Sequence, residues 1–269
     1  MATSLGIVSG LKHPAVQAAR ALNRPAGRAA QGRYLVEGEK LVRLALASPS
    51  RVEAIFVAEG EGTPWWQDLP SPSPPVYPVG RGLLFKIIGT SYATAVEAVA
   101  VVAPVPVPET WWPGPQDIVV AAEAVEDPRN VGVLIRTAEA VGARGLVLDE
   151  ACGDAYSRSA VRSSTGSILY LPIWRAPDLP AWLQEARSQG VRIIATSARA
   201  RQVFWDADLT GRSVILVGNE TAGLSPALRA LADLEVAIPL YGAAHSLNVA
   251  VAAGVVLYEC ARQRRALLP

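Results

Sequence analysis

Three separated segments in the second half of the chain carry the residues best suited to chemistry. Each follows an apolar run of the kind that forms a buried strand. The segments read DPRNVGVLIRT over residues 127–137, GNETAGLS over residues 218–225, and IPLYG then HSLNV within residues 238–249. They supply an arginine, asparagines, a glutamate and a serine, which orient hydroxyls and phosphates through hydrogen bonds and charge. This set favours polar positioning chemistry at strand ends, without a metal.

The first segment predicts the end of a strand at Asp127 and Pro128 and the start of a helix with Asn130 as its N-cap. Arg136 follows six residues later on the same helix. In a structural interpretation, Asn130 is only a cap and Arg136 is a surface or salt-bridged arginine. In a functional interpretation, the planar guanidinium of Arg136 grips a phosphate beside the reacting group. The residues alone leave both interpretations open.

The second segment links a predicted strand, residues 213–217, to a helix that begins at Pro226. Gly218 and Gly223 lie in this turn, and glycines allow a ligand to approach the backbone closely. An ordinary loop with a helix cap explains the same glycines. Glu220 is either an active-site carboxylate or only the anchor of a buried hydrogen-bond network.

The third segment predicts a strand end at residues 238–240 and a helix over residues 247–262. Apolar residues fill nearly every position from Val249 to Tyr258, which predicts a helix that is buried on all sides. His245 precedes this helix, and histidine is a common acid–base residue. We nevertheless interpret His245 as a loop residue and not as the catalytic base.

Composition argues against several classes of protein. No Gly-x-Gly-x-x-Gly follows a predicted strand, and neither a Walker loop nor a Gly-x-Ser-x-Gly motif occurs. The two cysteines and two histidines lack metal-ligand spacing, which argues against a zinc site or a disulfide framework. We therefore expect a reduced, cytoplasmic compartment. The longest apolar run is about half of the roughly 20 residues that span a bilayer, and no signal-peptide pattern is present, so we expect a soluble protein.

The charge is unevenly distributed although the net charge is only +1. The first 50 residues contain seven basic residues against two acidic ones. Such a region is either a basic surface that neutralises phosphates or an ordinary solvated helix face. Arg28 and Arg33 are the candidate contacts to nucleic-acid phosphates here.

A proline-rich segment, residues 104–115, predicts a linker between domains at residues 1–103 and 116–269. A second proline-rich stretch, residues 70–78, is predicted to be a surface loop. Alternating helices and strands predict a small α/β sandwich in the first domain and a mostly parallel sheet, covered on both faces, in the second. The predicted strands are 52–57, 96–102, 118–122, 145–148, 191–195, 213–217 and 235–238, and the predicted helices are 14–22, 38–47, 82–88, 131–141, 179–188, 226–231 and 247–262.

In their order and spacing, the three segments resemble the motifs of the SpoU, or TrmH, branch of the SPOUT methyltransferases. Residues 11–16 and 32–42 are similar to the L30e-like substrate-binding domain of many SpoU enzymes. The resemblance implies an RNA methyltransferase that uses S-adenosylmethionine and acts on a ribose 2′-hydroxyl. It also implies an L30e-like α/β sandwich followed by a SPOUT α/β knot, which is a mostly parallel sheet with a deep trefoil knot. A homodimer whose active sites draw on both subunits is implied as well.

The resemblance further implies roles for individual residues. The catalytic set is Asn130, Arg136, Glu220, Ser246 and Asn248. The cofactor-binding set is Gly218, Asn219, Ile238, Leu240 and Leu247. A weaker match over residues 154–172 makes Arg162 an RNA phosphate contact, although a plain helix-surface arginine explains it equally well.

The substrate that this resemblance favours is 23S ribosomal RNA, because related transfer-RNA enzymes often lack the separate N-terminal domain. A transfer-RNA 2′-O-methyltransferase is one alternative. A non-catalytic RNA-binding or ribosome-assembly protein with the same fold is another. The sequence indicates neither the target nucleotide, nor the proton acceptor, nor whether the methylation confers antibiotic resistance.

Overall fold

The computed structural model describes residues 7–59, 65–69, 73–90, 96–108 and 112–265. The chain divides into two compact units. The first runs to Val105 and includes Tyr156–Val161, and the second contains Pro106–Ala155 and the residues from Arg162 onward. The division falls within the proline-rich segment.

The described part of the first unit is a four-stranded sheet with helices. Its helices are α1 (Pro14–Ala21), α2 (Pro25–Gln31), α3 (Glu39–Leu46) and α4 (Arg81–Ile88), and its strands are β1 (Tyr34–Glu37), β2 (Arg51–Ala58), β3 (Val76–Val79) and β4 (Ala98–Ala103). The strand order is β1-β4-β2-β3, with β4 antiparallel to both neighbours and β3 parallel to β2. The predicted α/β sandwich is therefore observed, with three elements, α2, β1 and β3, that the sequence pattern missed.

The prediction of a loop over residues 70–78 is wrong at its end. Pro78 belongs to β3, which lies at the edge of the sheet. Proline lacks an N–H donor, and an edge strand tolerates it for that reason. The Pro78 carbonyl still accepts a hydrogen bond from the Val8 N–H at 2.9 Å. Residues 70–72 of the same stretch lie outside the described part.

The second unit is built on a seven-stranded parallel sheet. Its strands are β5 (Ile118–Ala122), β6 (Gly145–Leu148), β7 (Ile173–Arg175), β8 (Arg192–Thr196), β9 (Gln202–Val203), β10 (Ser213–Val217) and β11 (Leu234–Ala237). Its helices, with one that crosses the division between units, are α5 (Pro128–Ala140), α6 (Arg158–Ser163), α7 (Leu179–Ser188), α8 (Pro226–Leu231) and α9 (Val249–Arg265). The order is β7-β6-β5-β10-β8-β11-β9, and all pairs are parallel.

Continuous apolar strands explain this sheet. Every residue of β5, β6 and β10 is buried, as expected for parallel strands that helices cover on both faces. The chain leaves β5 towards β6 on one side, and β10 returns to pair with β5 on the other. Such a reversal of strand order opens a crevice at the carboxyl ends of the two strands, where ligands of α/β proteins bind.

Several predicted boundaries are corrected. Helix α5 begins at Pro128 with Asp127 as its N-cap, so Asn130 lies in the first turn of the helix and is not the cap. Strand β5 ends at Ala122, five residues before Asp127.

The apolar part of α9 is not buried on all sides within the chain, because Val251 is 52% exposed and Tyr258 is 57% exposed. The trefoil knot stays a prediction.

The predicted linker is partly packed against the second unit. Trp112 lies against Trp182 of α7, with 5.6 Å between the ring centroids. Val107 contacts the same apolar cluster. In the described part of the chain, no helix is both long and apolar enough to cross a membrane.

Candidate active site

The three polar segments meet at one edge of the parallel sheet. The first follows β5, the second follows β10, and the third follows β11. The carboxyl ends of parallel strands lie at the same edge, so the sheet gathers residues that are far apart in sequence. The candidate site is therefore at the reversal of strand order between β5 and β10.

Hydrogen bonds join one residue from each segment. The Asn130 amide donates from Nδ2 to Glu220 Oε1 at 2.7 Å. Asn248 Nδ2 donates to Asn130 Oδ1 at 2.9 Å. Because Asn130 uses both ends of its amide, its side-chain orientation is fixed. We refer to Glu220, Asn130 and Asn248 as the amide bridge.

Asn248 also begins helix α9. Its Oδ1 accepts hydrogen bonds from the backbone N–H groups of Ala250 at 2.9 Å and Val251 at 3.3 Å. These are among the N–H groups that the first turn of a helix leaves unpaired. One asparagine therefore caps the helix with its oxygen and completes the amide bridge with its nitrogen.

Asn219 organises the loop after β10. Its Oδ1 accepts from the backbone N–H groups of Thr221 and Ala222, both at 2.9 Å, and its Nδ2 donates to the Ala124 carbonyl at 2.8 Å. The backbones of Asn219 and Gly223 also exchange two hydrogen bonds, at 3.0 and 3.2 Å. The Asn219 side chain is thus engaged within the protein, and its cofactor contact stays a prediction.

Several apolar side chains with exposed surface precede Asn248 in the sequence. Leu240 is 37% exposed and Leu247 is 36% exposed, while Ile238 is partly buried. Tyr241 between them is 87% exposed. Exposed apolar groups beside a few oriented polar ones are typical of a small-molecule site.

Two predicted RNA-facing arginines have free charged groups. Arg136 and Arg162 are exposed, and within the described residues their side chains form no hydrogen bond or ion pair. Ser246 and His245 are exposed as well. The charged groups of both arginines are therefore accessible to a ligand in solution.

The two N-terminal arginines are engaged in the fold. Arg28 is only 9% exposed and donates from Nη1 to the Leu22 carbonyl at 2.6 Å. Arg33 forms an ion pair with Glu53 at 2.6 Å. Both guanidinium groups stabilise the first unit, and we do not carry them into the proposed RNA surface.

Two groups with shifted pKa values lie on or against the segment that follows β5. Hydrogen bonds from the Arg129 side chain lower the pKa of Asp127, so this carboxylate stays ionised and caps α5. Burial, helped by a hydrogen bond with Asp149, raises the pKa of the Cys152 thiol to about 12. Cys152 therefore stays protonated near neutral pH and is not a nucleophile.

A separate groove lies away from these residues. Its volume is about 680 Å³, and Ile118, Val141, Tyr258 and Arg264 are among the residues that line it. Ile118 begins β5, so the groove is at the amino-terminal edge of the sheet. None of the predicted catalytic or cofactor-binding residues lines it.

Comparisons with known proteins agree with this geometry. Residues 117–258 match the SpoU rRNA Methylase family, and residues 13–93 match the MRM3-like substrate binding domain. The chain belongs to the SpoU rRNA methylase family. The predictions of this family, of its enzyme class, the RNA ribose 2′-O-methyltransferases, and of a SPOUT-type α/β fold are thereby confirmed.

Individual relatives cover nearly the whole chain. An uncharacterized tRNA/rRNA methyltransferase of Synechocystis is 33% identical over 98% of this chain and 96% of its own length. The 23S rRNA (guanosine(2553)-2′-O)-methyltransferase RlmP of Bacillus subtilis is 31% identical over 94% of this chain and 98% of its own. The structure of an AdoMet-bound rRNA methyltransferase from Sinorhizobium meliloti has a TM-score of 0.85 and 30% identity, covering 98% of this chain and 99% of that one.

Gly218 yields a first testable prediction. A Cβ at this position would lie 2.4 Å from the Gly223 carbonyl carbon and 2.5 Å from the Leu224 nitrogen. Backbone atoms cannot yield to such a contact as a flexible side chain would. We expect Gly218→Ala to destabilise the protein by about 1–3 kcal/mol and to weaken S-adenosylmethionine binding, as measured by thermal unfolding and calorimetric titration.

Gly82→Ala is the matched control, since nothing lies within 4 Å of a Cβ there and the residue is in helix α4. It is expected to be neutral or slightly stabilising. Unchanged stability and cofactor affinity in Gly218→Ala would show that the loop after β10 is not as tightly closed as its backbone contacts indicate.

Proposed function

We propose that the chain transfers a methyl group from S-adenosylmethionine to a ribose 2′-hydroxyl of ribosomal RNA, with 23S RNA as the favoured substrate. The observation that carries the proposal is the amide bridge, which connects residues from all three family motifs. A non-catalytic relative would have no need to keep these polar groups oriented at a strand-end crevice. The family and its S-adenosylmethionine cofactor support the same conclusion.

The residues around the bridge fit this cofactor. The backbone of the loop from Gly218 to Gly223 and the exposed side chains of Leu240 and Leu247 offer polar edges and apolar faces for a nucleoside. Bound S-adenosylmethionine would supply a methyl group on a positively charged sulfur. We assign its binding to Gly218, Ile238, Leu240 and Leu247 and the backbone of Asn219.

The substrate hydroxyl is neutral and a weak nucleophile. Transfer would form a bond from ribose O2′ to the methyl carbon, break the carbon–sulfur bond with S-adenosylhomocysteine as the leaving group, and release the 2′ proton to solvent. The protein must therefore hold O2′ in line with the methyl group and stabilise the negative charge that grows on the oxygen. We assign this positioning to Asn130, Glu220, Ser246 and Asn248.

Arg136 is assigned to the RNA phosphate next to the target ribose. Its guanidinium is permanently charged, exposed and without a partner in the described residues, so it is available for a bidentate phosphate contact. The positive charge also favours loss of the nearby hydroxyl proton. Arg162, which is exposed in the same unit, is a second phosphate contact in this proposal.

Other basic residues of the first unit replace Arg28 and Arg33 as candidate RNA contacts. Arg20 and Lys86 are exposed and lie together, because Arg20 Nε donates to the Lys86 carbonyl at 3.2 Å. Arg24 is exposed nearby in sequence. The match of residues 13–93 to a substrate-binding domain supports RNA contact by this unit.

The proposal includes a homodimer formed through α5 and α9. Val251 and Tyr258 are seven residues apart on α9 and therefore lie on one face of that helix. Val133 on α5 is also exposed. The two helices pack closely, since a Cβ at Gly254 would lie 3.4 Å from Thr137 Cγ2. Exposed apolar residues on neighbouring helices are suited to a subunit interface.

Val251→Asp tests the dimer. A carboxylate in a desolvated interface costs several kcal/mol, so the dimer dissociation constant should rise at least ~100-fold. Analytical ultracentrifugation measures it. Ile7→Asp, at another exposed apolar position, should leave the dimer intact. A wild-type protein that sediments as a monomer, or an unchanged dimer in Val251→Asp, would contradict the proposed interface.

Mapping of ribose methylation in total RNA tests the substrate. Cells with and without the protein should differ at a position of 23S ribosomal RNA, because relatives that cover nearly the whole chain include a 23S enzyme. A difference confined to transfer RNA would favour the alternative substrate. The absence of any difference, together with no binding of S-adenosylmethionine, would favour the non-catalytic alternative. A cytoplasmic location belongs to the same proposal, as ribosomal RNA is modified there.

A further inference from the structure

A strained residue lies in the segment between β5 and α5. Ala124, two residues after the end of β5, has φ of 51°, and it is one of two non-glycine residues with positive φ in the described part of the chain. A residue with a Cβ is disfavoured in this left-handed region. Such a conformation persists only when the surrounding contacts enforce it, and it commonly marks a functional segment.

The side chain of Asp149, immediately after β6, hydrogen-bonds the Ala124 backbone. Its Oδ1 and Oδ2 accept from the Ala124 backbone N–H at 3.1 and 3.0 Å. Oδ1 also accepts from the Cys152 N–H at 2.9 Å. The sequence motifs do not include Asp149. The sequence marks this position only as an acidic residue that follows a buried strand.

The Asp149 loop is itself held rigidly. The Arg175 guanidinium donates to the carbonyl groups of Asp149 at 2.8 Å, Glu150 at 3.2 Å, Cys152 at 3.2 Å and Gly153 at 3.1 Å. The Gly153 N–H donates to the Val125 carbonyl at 2.8 Å. Asp149 thus presents its carboxylate from a fixed support.

The consequence of the Ala124 conformation is seen at its carbonyl. That oxygen accepts the Asn219 Nδ2 hydrogen bond at 2.8 Å. Asn219 in turn holds the N–H groups of Thr221 and Ala222, and its neighbour Glu220 accepts from Asn130. A continuous set of contacts therefore runs from Asp149 through Ala124 and Asn219 to the amide bridge.

We propose that Asp149 is a positioning residue, which holds Ala124 in the left-handed conformation and so fixes the loop that binds S-adenosylmethionine. The inference rests on the proposed function, because the effect is read at the cofactor site. Asp149 touches neither cofactor nor substrate in this role. It acts through the backbone of Ala124 and the side chain of Asn219.

Three variants test the proposal by calorimetric titration of the full chain with S-adenosylmethionine. Asp149→Ala should raise the Kd about tenfold or more, since it leaves two backbone N–H groups without an acceptor. Asp149→Asn should stay within about threefold of wild type, because one oxygen, Oδ1, reaches both N–H groups. Adding Ala124→Gly to Asp149→Ala should restore most of the affinity, because glycine adopts positive φ without an enforcing contact.

Ala124→Val gives a second route if Asp149→Ala fails to fold. A β-branched residue is still less compatible with positive φ, so the Kd should rise although Asp149 is intact. Asp233→Ala is the matched control. Asp233 accepts a hydrogen bond from the Ile193 N–H at 2.8 Å. It lies at the amino-terminal end of β11, whereas the candidate site lies at the carboxyl ends of the strands. That variant should lower thermal stability and leave the Kd unchanged.

The outcomes separate the two proposals. A wild-type chain that binds no S-adenosylmethionine contradicts the proposed function. Wild-type binding with an unchanged Kd in both Asp149→Ala and Ala124→Val overturns the positioning role. An affinity loss in Asp149→Ala that Ala124→Gly does not reverse overturns the route through the Ala124 conformation.

Discussion

Arg136→Ala is expected to lower kcat for methyl transfer at least ~100-fold. The reason is that a misplaced reacting group, or a developing charge left without stabilisation, lowers a reaction rate by about 100-fold. The dissociation constant for S-adenosylmethionine should stay within about twofold of wild type. The reason is that Arg136 is exposed and, within the described residues, its side chain forms no hydrogen bond or ion pair with the loop after β10 or with the amide bridge. Single-turnover methylation of ribosomal RNA and calorimetric titration of the cofactor measure the two effects.

Arg136→Lys and Arg144→Ala complete this experiment. Lysine keeps the charge but cannot form a bidentate phosphate contact, so an intermediate kcat is expected. Arg144 is another partly exposed arginine of the same unit, but it pairs with Asp117 near the amino-terminal edge of the sheet. Its replacement should leave kcat near wild type. Full activity in Arg136→Ala would contradict the phosphate-gripping role.

Asn130→Ala is the second substitution with a large expected effect. It removes the only residue that contacts both other members of the amide bridge, leaving the Glu220 carboxylate and the Asn248 amide without these partners. We expect a decrease in kcat of about 100-fold and a loss of stability of about 1–3 kcal/mol from unpaired polar groups. Asn248 still caps α9 through its oxygen, so the fold should survive.

Asn130→Asp keeps the size of the side chain but removes the N–H group that donates to Glu220. It would place a second carboxylate 2.7 Å from Glu220, where only one of the two groups readily ionises. Activity should then fall further as the pH rises and both groups lose their protons. A double-mutant cycle of Asn130→Ala and Glu220→Ala should be strongly non-additive in kcat, because the two residues act as a unit. Additive effects would contradict the amide bridge.

The sequence predicted the central sheet well for a physical reason. Strands β5, β6 and β10 match their predicted ranges exactly in residue number because they are short, fully apolar runs. Helices α7 and α8 also match, since Asp178 and Ser225 are N-caps followed within two residues by proline. Local chemistry thus determines these boundaries.

The remaining elements depend on tertiary context. Strands β1, β3 and β7 have three or four residues each and lie at the lateral edges of the sheets, where such short runs of mixed burial leave a weak sequence pattern. The wrong prediction of Asn130 as the N-cap has a local cause and not a tertiary one. Asp127 followed by Pro128 is the usual pattern of an N-cap and first helical residue, and it begins the helix earlier than predicted.

The candidate site was predictable in its residues but not in its contacts. Hydrogen bonds across 90 and 118 residues arise only when β10 and α9 return to β5. Arg28 shows the opposite limit, because its charge suggested RNA contact and its burial is set by packing. The role proposed for Asp149 acts through the backbone conformation of Ala124, and a backbone conformation of this kind leaves no sequence motif.

The most direct test of the central claim is the chemical position of the transferred methyl group. Purified protein is incubated with methyl-labelled S-adenosylmethionine and 23S ribosomal RNA, and the RNA is then hydrolysed in alkali. A 2′-O-methyl group prevents cleavage at its own nucleotide, since the 2′-oxygen can no longer attack the phosphate. We expect label in alkali-resistant dinucleotides. Label in mononucleotides, or no transfer at all, would show that the chain does not methylate a ribose 2′-hydroxyl of this RNA.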